Sequence, residues 1–173
     1  MDRQTTRTAI VTGAGKRVGR AIASALLVDG WSVVAHVHHD GDDVPEGAVA
    51  VVADLTDEGA AGTIVGAAAG RPPLGLLVNN AARFAEDRLT TLDAASFDGH
   101  MAVNVRAPAL LTQAFAEAVG EAGGLVVNLL DAKLAAPNPD FLSYTLSKFA
   151  AAGLTDVAAR ALAGRGIRVN AIA

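Results

Sequence analysis

Residues 12–19 read Thr12-Gly13-Ala14-Gly15-Lys16-Arg17-Val18-Gly19 and follow directly on the short apolar run 8–11. An Ala-rich segment of helical character comes next, so the stretch forms a glycine-rich turn between a strand and a helix. Because glycines lack side chains, the backbone of such a turn can approach a pyrophosphate at the positive end of the following helix. The stretch therefore predicts a dinucleotide-binding turn, although plain strand-to-helix connections use the same residue types.

The alternation of strand and helix extends over the whole chain. Short β-rich apolar runs alternate with longer Ala-rich segments, which is typical of βαβ units around a parallel sheet. The runs predict strands at residues 8–11, 32–37, 48–52, 74–78, 124–129 and 168–171. The longer segments predict helices at residues 17–29, 57–69, 96–119, with a break at Pro108, and 141–163, and loops are expected at 41–47 and 135–140. The predicted fold class is α/β, with a doubly wound parallel sheet.

The composition limits the classes of function. A chain of 173 residues that is 51% hydrophobic and 18% charged fits one domain spanning residues 1–173. Its formal net charge of -4 offers no basic surface, so no nucleic-acid partner is expected. The absence of cysteine removes disulfides, thiolate nucleophiles and Cys-type zinc sites, so redox chemistry would need a cofactor.

The N-terminal residues 1–8 are polar and lack a signal-type apolar stretch. No run approaches the ~20 apolar residues that span a bilayer. The expected protein is therefore cytoplasmic, with no membrane partner.

A second informative stretch is Tyr144-Thr145-Leu146-Ser147-Lys148. On a helix, a spacing of four places the phenol and the ammonium on one face and within reach of each other. Since a nearby cation favours the phenolate, Lys148 is expected to lower the pKa of Tyr144 from about 10 toward a useful acid–base range. Tyr144 is therefore a candidate general acid, although such pairs also arise by chance on amphipathic helices.

Two further residues stand out beside this pair. Asp131 follows the predicted strand 124–129, and its carboxyl group can accept hydrogen bonds and deliver a proton. Phe84 follows the polar turn Asn79-Asn80-Ala81-Ala82 in a chain that is only 4% aromatic. The alternatives are a strand-end capping role for Asp131 and an ordinary core position for Phe84.

These stretches resemble the short-chain dehydrogenases/reductases, and within that family the pteridine-reductase branch. The turn at 12–19 is similar to the family's Thr-Gly-three residues-Gly-x-Gly pattern, with Arg17 at the usual middle glycine, as in that branch. Asp131 stands where most members have a serine and again matches the branch. The resemblance runs from the glycine turn to Asn170 and implies a Rossmann fold. Members usually continue through a further strand and a C-terminal tail, so the chain is expected to lack both.

The resemblance implies an NADPH site, with NADH as the alternative. The residues that it assigns to cofactor binding are Gly13, Lys16, Arg17, Val18, Gly19, His38, His39, Asp54, Leu55, Asn80 and Ala81, together with Tyr144 and Lys148. Arg17 would hold the adenosine phosphate, because a guanidinium fits phosphate oxygens in bidentate fashion. His38 matches the branch at the 2′-phosphate. His39 replaces an arginine and Asp40 replaces a serine, and a carboxylate there favours a ribose hydroxyl.

His36, His38 and His39 offer a competing functional interpretation, a metal site, because imidazole is a common ligand and alternate strand positions share a face. No spaced carboxylate or cysteine completes a ligand set in the sequence. No metal is therefore predicted, and histidines at a strand end beside a cofactor are the preferred interpretation.

The resemblance also implies roles at the reacting centre. Tyr144 and Asp131 would handle the protons, Lys148 would contact the ribose, and Asn104 would hold a relay water. Phe84 would stack a pterin ring against the nicotinamide, with Asp131 and Tyr144 as the other substrate contacts. The expected reaction is hydride transfer from NAD(P)H to a C=N bond of a dihydropterin or folate-like small molecule.

Two other functions stay open. A ketone or 3-oxoacyl carbonyl reductase would use the same tyrosine and lysine and would merely tolerate Asp131. A non-catalytic NADP(H)-binding sensor or scaffold would bind the nucleotide without turnover. The apolar faces of the predicted helices 96–119 and 141–163 favour a homo-oligomer, either a dimer or a tetramer.

Overall fold

The computed structural model describes residues 6–173. Its strands are β1 (Thr8–Val11), β2 (Ser32–Val37), β3 (Val49–Val52), β4 (Leu74–Asn79), β5 (Gly124–Leu129) and β6 (Ile167–Ile172). Every predicted strand is present, and its ends agree with the sequence pattern to within one residue. The N-terminal residues 1–5, part of the stretch used to predict a cytoplasmic protein, lie outside the described residues.

The strands form one six-stranded sheet in the order β3-β2-β1-β4-β5-β6. All neighbouring pairs run parallel. The chain moves outward in one direction from β1 to β3 and then returns to the other side of β1 at β4. In such a sheet the carboxyl ends of β1 and β4 border a crevice where ligands bind. The predicted doubly wound Rossmann arrangement is confirmed.

The helices are α1 (Arg17–Val28), α2 (Ala60–Gly66), α3 (Ala94–Met101), α4 (Ala107–Val119) and α5 (Leu142–Leu162). The predicted helix 57–69 is much shorter than expected. Gly59, Gly62 and Gly66 stand at its start, middle and end, and glycine disfavours the helical state because it loses the most backbone entropy.

The predicted helix 96–119 has its irregularity in the turn directly before Pro108. A π-helical turn, Ala102–Arg106, separates α3 from α4. Because α3, this turn and α4 form one continuous helical run, the missing N–H of Pro108 leaves the carbonyl of Asn104, one turn earlier, without its usual helical donor. The irregularity expected at Pro108 is therefore present, as a π-helical turn centred on Asn104 rather than as a break in the helix.

The core consists of two apolar layers, one on each face of the sheet. Ile10 belongs to the layer that includes residues of α2 and α4. Its neighbours Ala9 and Val11 point the other way, into the layer that includes Ala23 of α1. Because β1 is covered on both faces, its sequence is a continuous apolar run rather than an alternating one.

Within residues 6–173, no helix is both long and apolar enough to cross a bilayer.

Candidate active site

The candidate active site lies where the carboxyl end of β5 meets the first turns of α5. Asp131 follows β5 after one intervening residue, and Tyr144 and Lys148 lie on α5. The Tyr144 hydroxyl donates a hydrogen bond of 2.6 Å to Oδ2 of Asp131. The Lys148 ammonium donates to the carbonyl oxygen of Leu129 at 2.7 Å, and its Nζ lies 5.6 Å from the centre of the Tyr144 ring. The structure thus brings the three residues together.

The pKa of Tyr144 shifts in the opposite direction to the one that the sequence predicts. Burial, followed by the hydrogen bond to Asp131 and the charge of that carboxylate, raises the pKa of Tyr144 above its ordinary value. Burial also opposes ionisation of Asp131, but the hydrogen bonds from Tyr144 and from the Lys133 backbone, with the charges of Lys133 and Lys148, together lower its pKa. Burial lowers the pKa of Lys148, and the Asp131 charge opposes that shift.

The prediction that Lys148 lowers the pKa of Tyr144 is therefore wrong for this structure. The carboxylate of Asp131 is in direct contact with the phenol, whereas the nearest partner of the Lys148 ammonium is a backbone carbonyl. At neutral pH the pair consists of a protonated Tyr144 and an ionised Asp131. This arrangement suits a proton donor held by a carboxylate.

A titration tests this assignment directly, because Tyr144 is the single tyrosine of the chain. We expect Asp131→Asn to lower the pKa of Tyr144, since it removes the carboxylate that stabilises the protonated phenol. Burial remains in the variant, so the pKa should stay above its ordinary value. The ultraviolet absorbance of tyrosinate reports the pKa, and circular dichroism identifies the pH range in which the protein stays folded. Asp156→Asn, an exposed change on the same helix, is the matched control; an equal pKa in all three proteins would contradict the assignment.

Asn104 is buried in the π-helical turn and holds two elements together. Its Oδ1 accepts from the Arg83 N–H at 2.8 Å, and its Nδ2 donates to the Arg83 carbonyl at 3.0 Å. The same Nδ2 donates to Oγ of Ser147 at 2.9 Å, and that hydroxyl donates to the Tyr144 carbonyl at 2.6 Å. The Asn104 side chain therefore fixes the segment after β4 against α5.

Phe84 lies in that segment, and its ring contacts the ring of Tyr144. Its ring meets the Tyr144 ring edge to face, with centroids 4.7 Å apart and an interplanar angle of 83°. It also stacks on Phe141, with centroids 4.4 Å apart and an angle of 8°. Phe84 is 56% exposed, which rules out the alternative of an ordinary core position.

The glycine-rich turn is clamped to the turn after β4. Asn80 Nδ2 donates to the carbonyls of Thr12 at 2.8 Å and Gly13 at 3.2 Å. Oγ1 of Thr12 accepts from the backbone N–H groups of Asn80 and Ala81, both at 3.0 Å. A Cβ added at Gly19 would overlap the Gly13 carbonyl and Asn80 Nδ2. The turn closes only because Gly19 has no side chain, and its bare backbone fits the phosphates of a dinucleotide.

Arg17 has an unusual backbone at the start of α1. Among residues 6–173 it is the one non-glycine residue with a positive φ, at 50°. An L side chain disfavours this region by about 1–2 kcal/mol, which explains why the related pattern has glycine there. Lys16, Arg17 and Val18 are all exposed. Strain of this kind concentrates at functional sites, so it supports a binding role for the Arg17 guanidinium.

The three histidines have separate environments. His36 is buried, accepts from the Gly13 N–H at Nδ1 and bonds the Ala53 carbonyl through Nε2, so both of its ring nitrogens are in use. The rings of His38 and His39 pack in a tilted arrangement with centroids 4.1 Å apart, and Nε2 of His38 lies 3.5 Å from Oδ2 of Asp54. In the part of the chain that the structure describes, no three histidine or acidic side chains form a metal-binding group. Instead, His36 couples the glycine turn to the segment that carries Asp54.

Asp54 and Leu55 lie side by side but face different surroundings. Asp54 is exposed, and its Oδ1 accepts from the backbone N–H and the hydroxyl of Thr56, both at 2.8 Å. These two bonds, with the neighbouring His38, lower the pKa of Asp54. Leu55 is buried in the core, so its side chain is withdrawn from any nucleotide surface.

The sequence matches the family model of the short chain dehydrogenases over residues 7–173. The chain belongs to the short-chain dehydrogenase family. Among solved structures it is similar to FolM alternative dihydrofolate reductase 1 from Brucella suis in complex with NADP, with a TM-score of 0.90 and 38% identity, covering 98% of this chain and 72% of that chain. It is 30% identical to pteridine reductase 1 of Leishmania tarentolae, covering 95% of this chain and 74% of the relative.

Other short-chain dehydrogenases are similarly close in sequence. The 3-oxoacyl-[acyl-carrier-protein] reductase FabG of Staphylococcus aureus is also 30% identical, covering 97% of this chain and 73% of the relative. The names of these relatives refer to pteridines, dihydrofolate and 3-oxoacyl groups. Family membership therefore makes the chain an oxidoreductase of this class but leaves its substrate undecided.

Three residues that border the group of Asp131, Tyr144 and Lys148 were missed by sequence reasoning. Ser147 links Asn104 to the Tyr144 backbone, and a serine inside the tyrosine–lysine stretch was a usable signal. Phe141 stacks on Phe84, and Nζ of Lys133 lies 4.8 Å from the centre of the Phe141 ring. Neither of these contacts has a signal in residue spacing, because the partners come from separate segments.

Proposed function

We propose that this short-chain dehydrogenase is an NADPH-dependent reductase of a dihydropterin or folate-like C=N bond. The observation that carries the proposal is the 2.6 Å hydrogen bond from the Tyr144 hydroxyl to Asp131 Oδ2. It places a carboxylate beside the proton donor, where the resembled family generally has a serine. A carboxylate can accept hydrogen bonds from an amino-pyrimidine edge, which a hydroxyl does less well. The similarity to pteridine reductase 1 and to FolM alternative dihydrofolate reductase 1 supports the same assignment.

In this proposal, the side chains position the substrate and supply the proton. Tyr144 donates a proton to the substrate nitrogen, since its raised pKa keeps it protonated at neutral pH. Asp131 orients the phenol and accepts from the amino edge of the substrate, and Phe84 stacks on its planar ring. Bound NADPH would supply the hydride, with Lys148 holding the nicotinamide ribose.

The side chain of Asn104 is a poorer candidate for holding the relay water than the sequence predicts. Its side-chain amide already serves Arg83 and Ser147. We therefore assign the proposed relay water to a main-chain carbonyl of the π-helical turn rather than to the Asn104 side chain. Such turns often mark functional positions in helices.

The charges around the glycine turn support NADPH as the cofactor. Lys16 and Arg17 are both exposed at the start of α1, where they can reach a phosphate. His38 and His39 lie at the end of β2, beside Asp54. The similar FolM alternative dihydrofolate reductase 1 structures from Brucella suis and Brucella canis are complexes with NADP. NADH stays the alternative, because Asp40 brings a carboxylate to the same strand end.

A second candidate function is a ketone or 3-oxoacyl carbonyl reductase. The observation that favours it is the similarity to the 3-oxoacyl-[acyl-carrier-protein] reductase of Staphylococcus aureus. Tyr144 and Lys148 would serve both reactions, so Asp131 is the residue that separates them.

The test is NADPH oxidation with a dihydropterin and a panel of simple ketones, comparing the native chain with Asp131→Ser. We expect the native chain to reduce the dihydropterin. Asp131→Ser should lower kcat/KM for it by about tenfold or more, because a hydrogen bond to a charged group contributes roughly 1.5–3 kcal/mol. Turnover of ketones should be maintained or improved.

Asp156→Ser, on the exposed side of α5, is the matched control and should leave both activities unchanged. Turnover of ketones alone would replace the proposal with the carbonyl reductase. Tight NADPH binding without turnover of any compound would favour the sensor or scaffold. Measured NADPH affinity separates this last outcome from a misfolded protein.

Assembly and location stay predictions. The exposed apolar side chains of α5, which include Leu146 and Phe149, support the proposal of a homodimer or homotetramer.

A further inference from the structure

A row of side chains leads away from the proton donor. It begins at Tyr144, continues through Phe84, whose ring meets the phenol edge to face, and then through Phe141, which stacks on Phe84. Nζ of Lys133 lies 4.8 Å from the centre of the Phe141 ring and ends the row. The row therefore places an ammonium two aromatic rings away from the reacting hydroxyl.

Lys133 is held in this position by its own backbone. It lies in the short 3-10 turn Ala132–Leu134, and its N–H donates to Oδ1 of Asp131 at 2.9 Å. The turn thus ties Lys133 to the carboxylate that holds Tyr144. The aromatic face of Phe141 orients the ammonium from one side without neutralising its charge.

The charge of Lys133 is available to a ligand. Among the ion pairs of residues 6–173, none includes Lys133. The acidic residue beside Phe141, Asp140, is paired with Arg88 at 2.9 Å. Asp131 is engaged by the Tyr144 hydroxyl and the Lys133 N–H, and the ammonium acts on it through space. A half-buried cation with these surroundings favours an incoming carboxylate.

We propose that Lys133 is a specificity-determining residue, which favours substrates carrying a carboxylate on a substituent beyond the reduced ring. This inference rests on the proposed function, because it assigns the planar ring of the substrate to Phe84. The substituent would then extend past the edge of the aromatic pair toward the ammonium. The preferred substrate would be a carboxylate-bearing, folate-like dihydropterin rather than a neutral dihydropterin.

The competing role for Lys133 is purely electrostatic support of Asp131. Removing the ammonium would then alter Asp131 for every substrate alike. A charge-selecting role predicts instead that only substrates with a carboxylate respond. Comparison of two substrates that share one ring and differ in charge separates the two roles.

The experiment compares native protein, Lys133→Met and Lys133→Arg with dihydrofolate and with a neutral dihydropterin. Methionine preserves the length and apolar contact of the side chain but removes its charge, so both variants should fold. We expect Lys133→Met to lower kcat/KM for dihydrofolate by about tenfold through KM, as expected for loss of a charge-assisted contact, with kcat maintained. The value for the neutral dihydropterin should change by less than about twofold. Lys133→Arg should retain the preference, and added salt should weaken it in native protein.

Arg160→Met, at the exposed far end of α5, controls for the change in net charge. Dissociation constants of both pterins for the NADP⁺-loaded protein are measured alongside turnover. Binding without turnover would overturn the proposed reaction but would still report on Lys133. Equal effects of Lys133→Met on the two ligands, or no effect on either, would overturn the charge-selecting role.

Discussion

Replacing Tyr144 by phenylalanine should lower kcat by about 10²- to 10⁴-fold, the range that a positioned proton donor contributes. The substitution removes the hydroxyl that donates to Asp131 at 2.6 Å and keeps the ring that meets Phe84. NADPH affinity should change little, because the glycine turn that fits the phosphates lies on other elements. Single-turnover kinetics with a dihydropterin, together with NADPH binding, measure the two effects separately.

Thr145→Val is the matched control for Tyr144→Phe. It also removes one hydroxyl from the same turn of α5, and within the described residues that buried hydroxyl has no hydrogen-bond partner. The control should retain its activity and its stability, since an unsatisfied buried hydroxyl contributes no favourable bond. A Tyr144→Phe enzyme that kept more than about a tenth of the native kcat would show that the proton comes from another group.

Replacing Gly19 by alanine should destabilise the fold by about 1–3 kcal/mol and abolish tight NADPH binding. The added methyl group would overlap the Gly13 carbonyl and Asn80 Nδ2. These atoms belong to the clamp between the glycine turn and the turn after β4, so the overlap cannot be relieved by rotating a free side chain. Denaturant unfolding followed through the fluorescence of the single tryptophan, Trp31, measures the stability change.

Gly62→Ala should have the opposite effect on the stability of the protein. Gly62 lies within α2, and a Cβ added there has no atom within 4 Å among those considered. Alanine at this position should therefore stabilise the protein by about 0.5–1 kcal/mol, because it lowers the entropy of the unfolded chain. A folded Gly19→Ala protein with native NADPH affinity would contradict the assignment of this turn to the dinucleotide.

The helical run 94–119 shows that the sequence predicted the place of an irregularity but not its form. Pro108 was the obvious candidate, because proline removes a backbone donor. In the structure the irregularity is the π-helical turn directly before Pro108, and it includes Asn104, whose carbonyl loses its helical donor to the proline. The position of a π-helical turn depends on tertiary contacts such as those of Asn104 with Arg83 and Ser147, and these segments are far apart in sequence.

The sequence by itself determined the strands, the doubly wound sheet, the glycine turn and the shared helix face of Tyr144 and Lys148. These features depend on apolar periodicity, on glycine at defined positions and on a spacing of four, all of which are local properties of the chain. Only the tertiary structure decided that Tyr144 has a raised rather than a lowered pKa, and that Phe84, Phe141 and Lys133 form one row. A pKa depends on burial and on which charge is nearest, and a stacked row depends on separate segments meeting in space, so neither can be obtained from residue spacing.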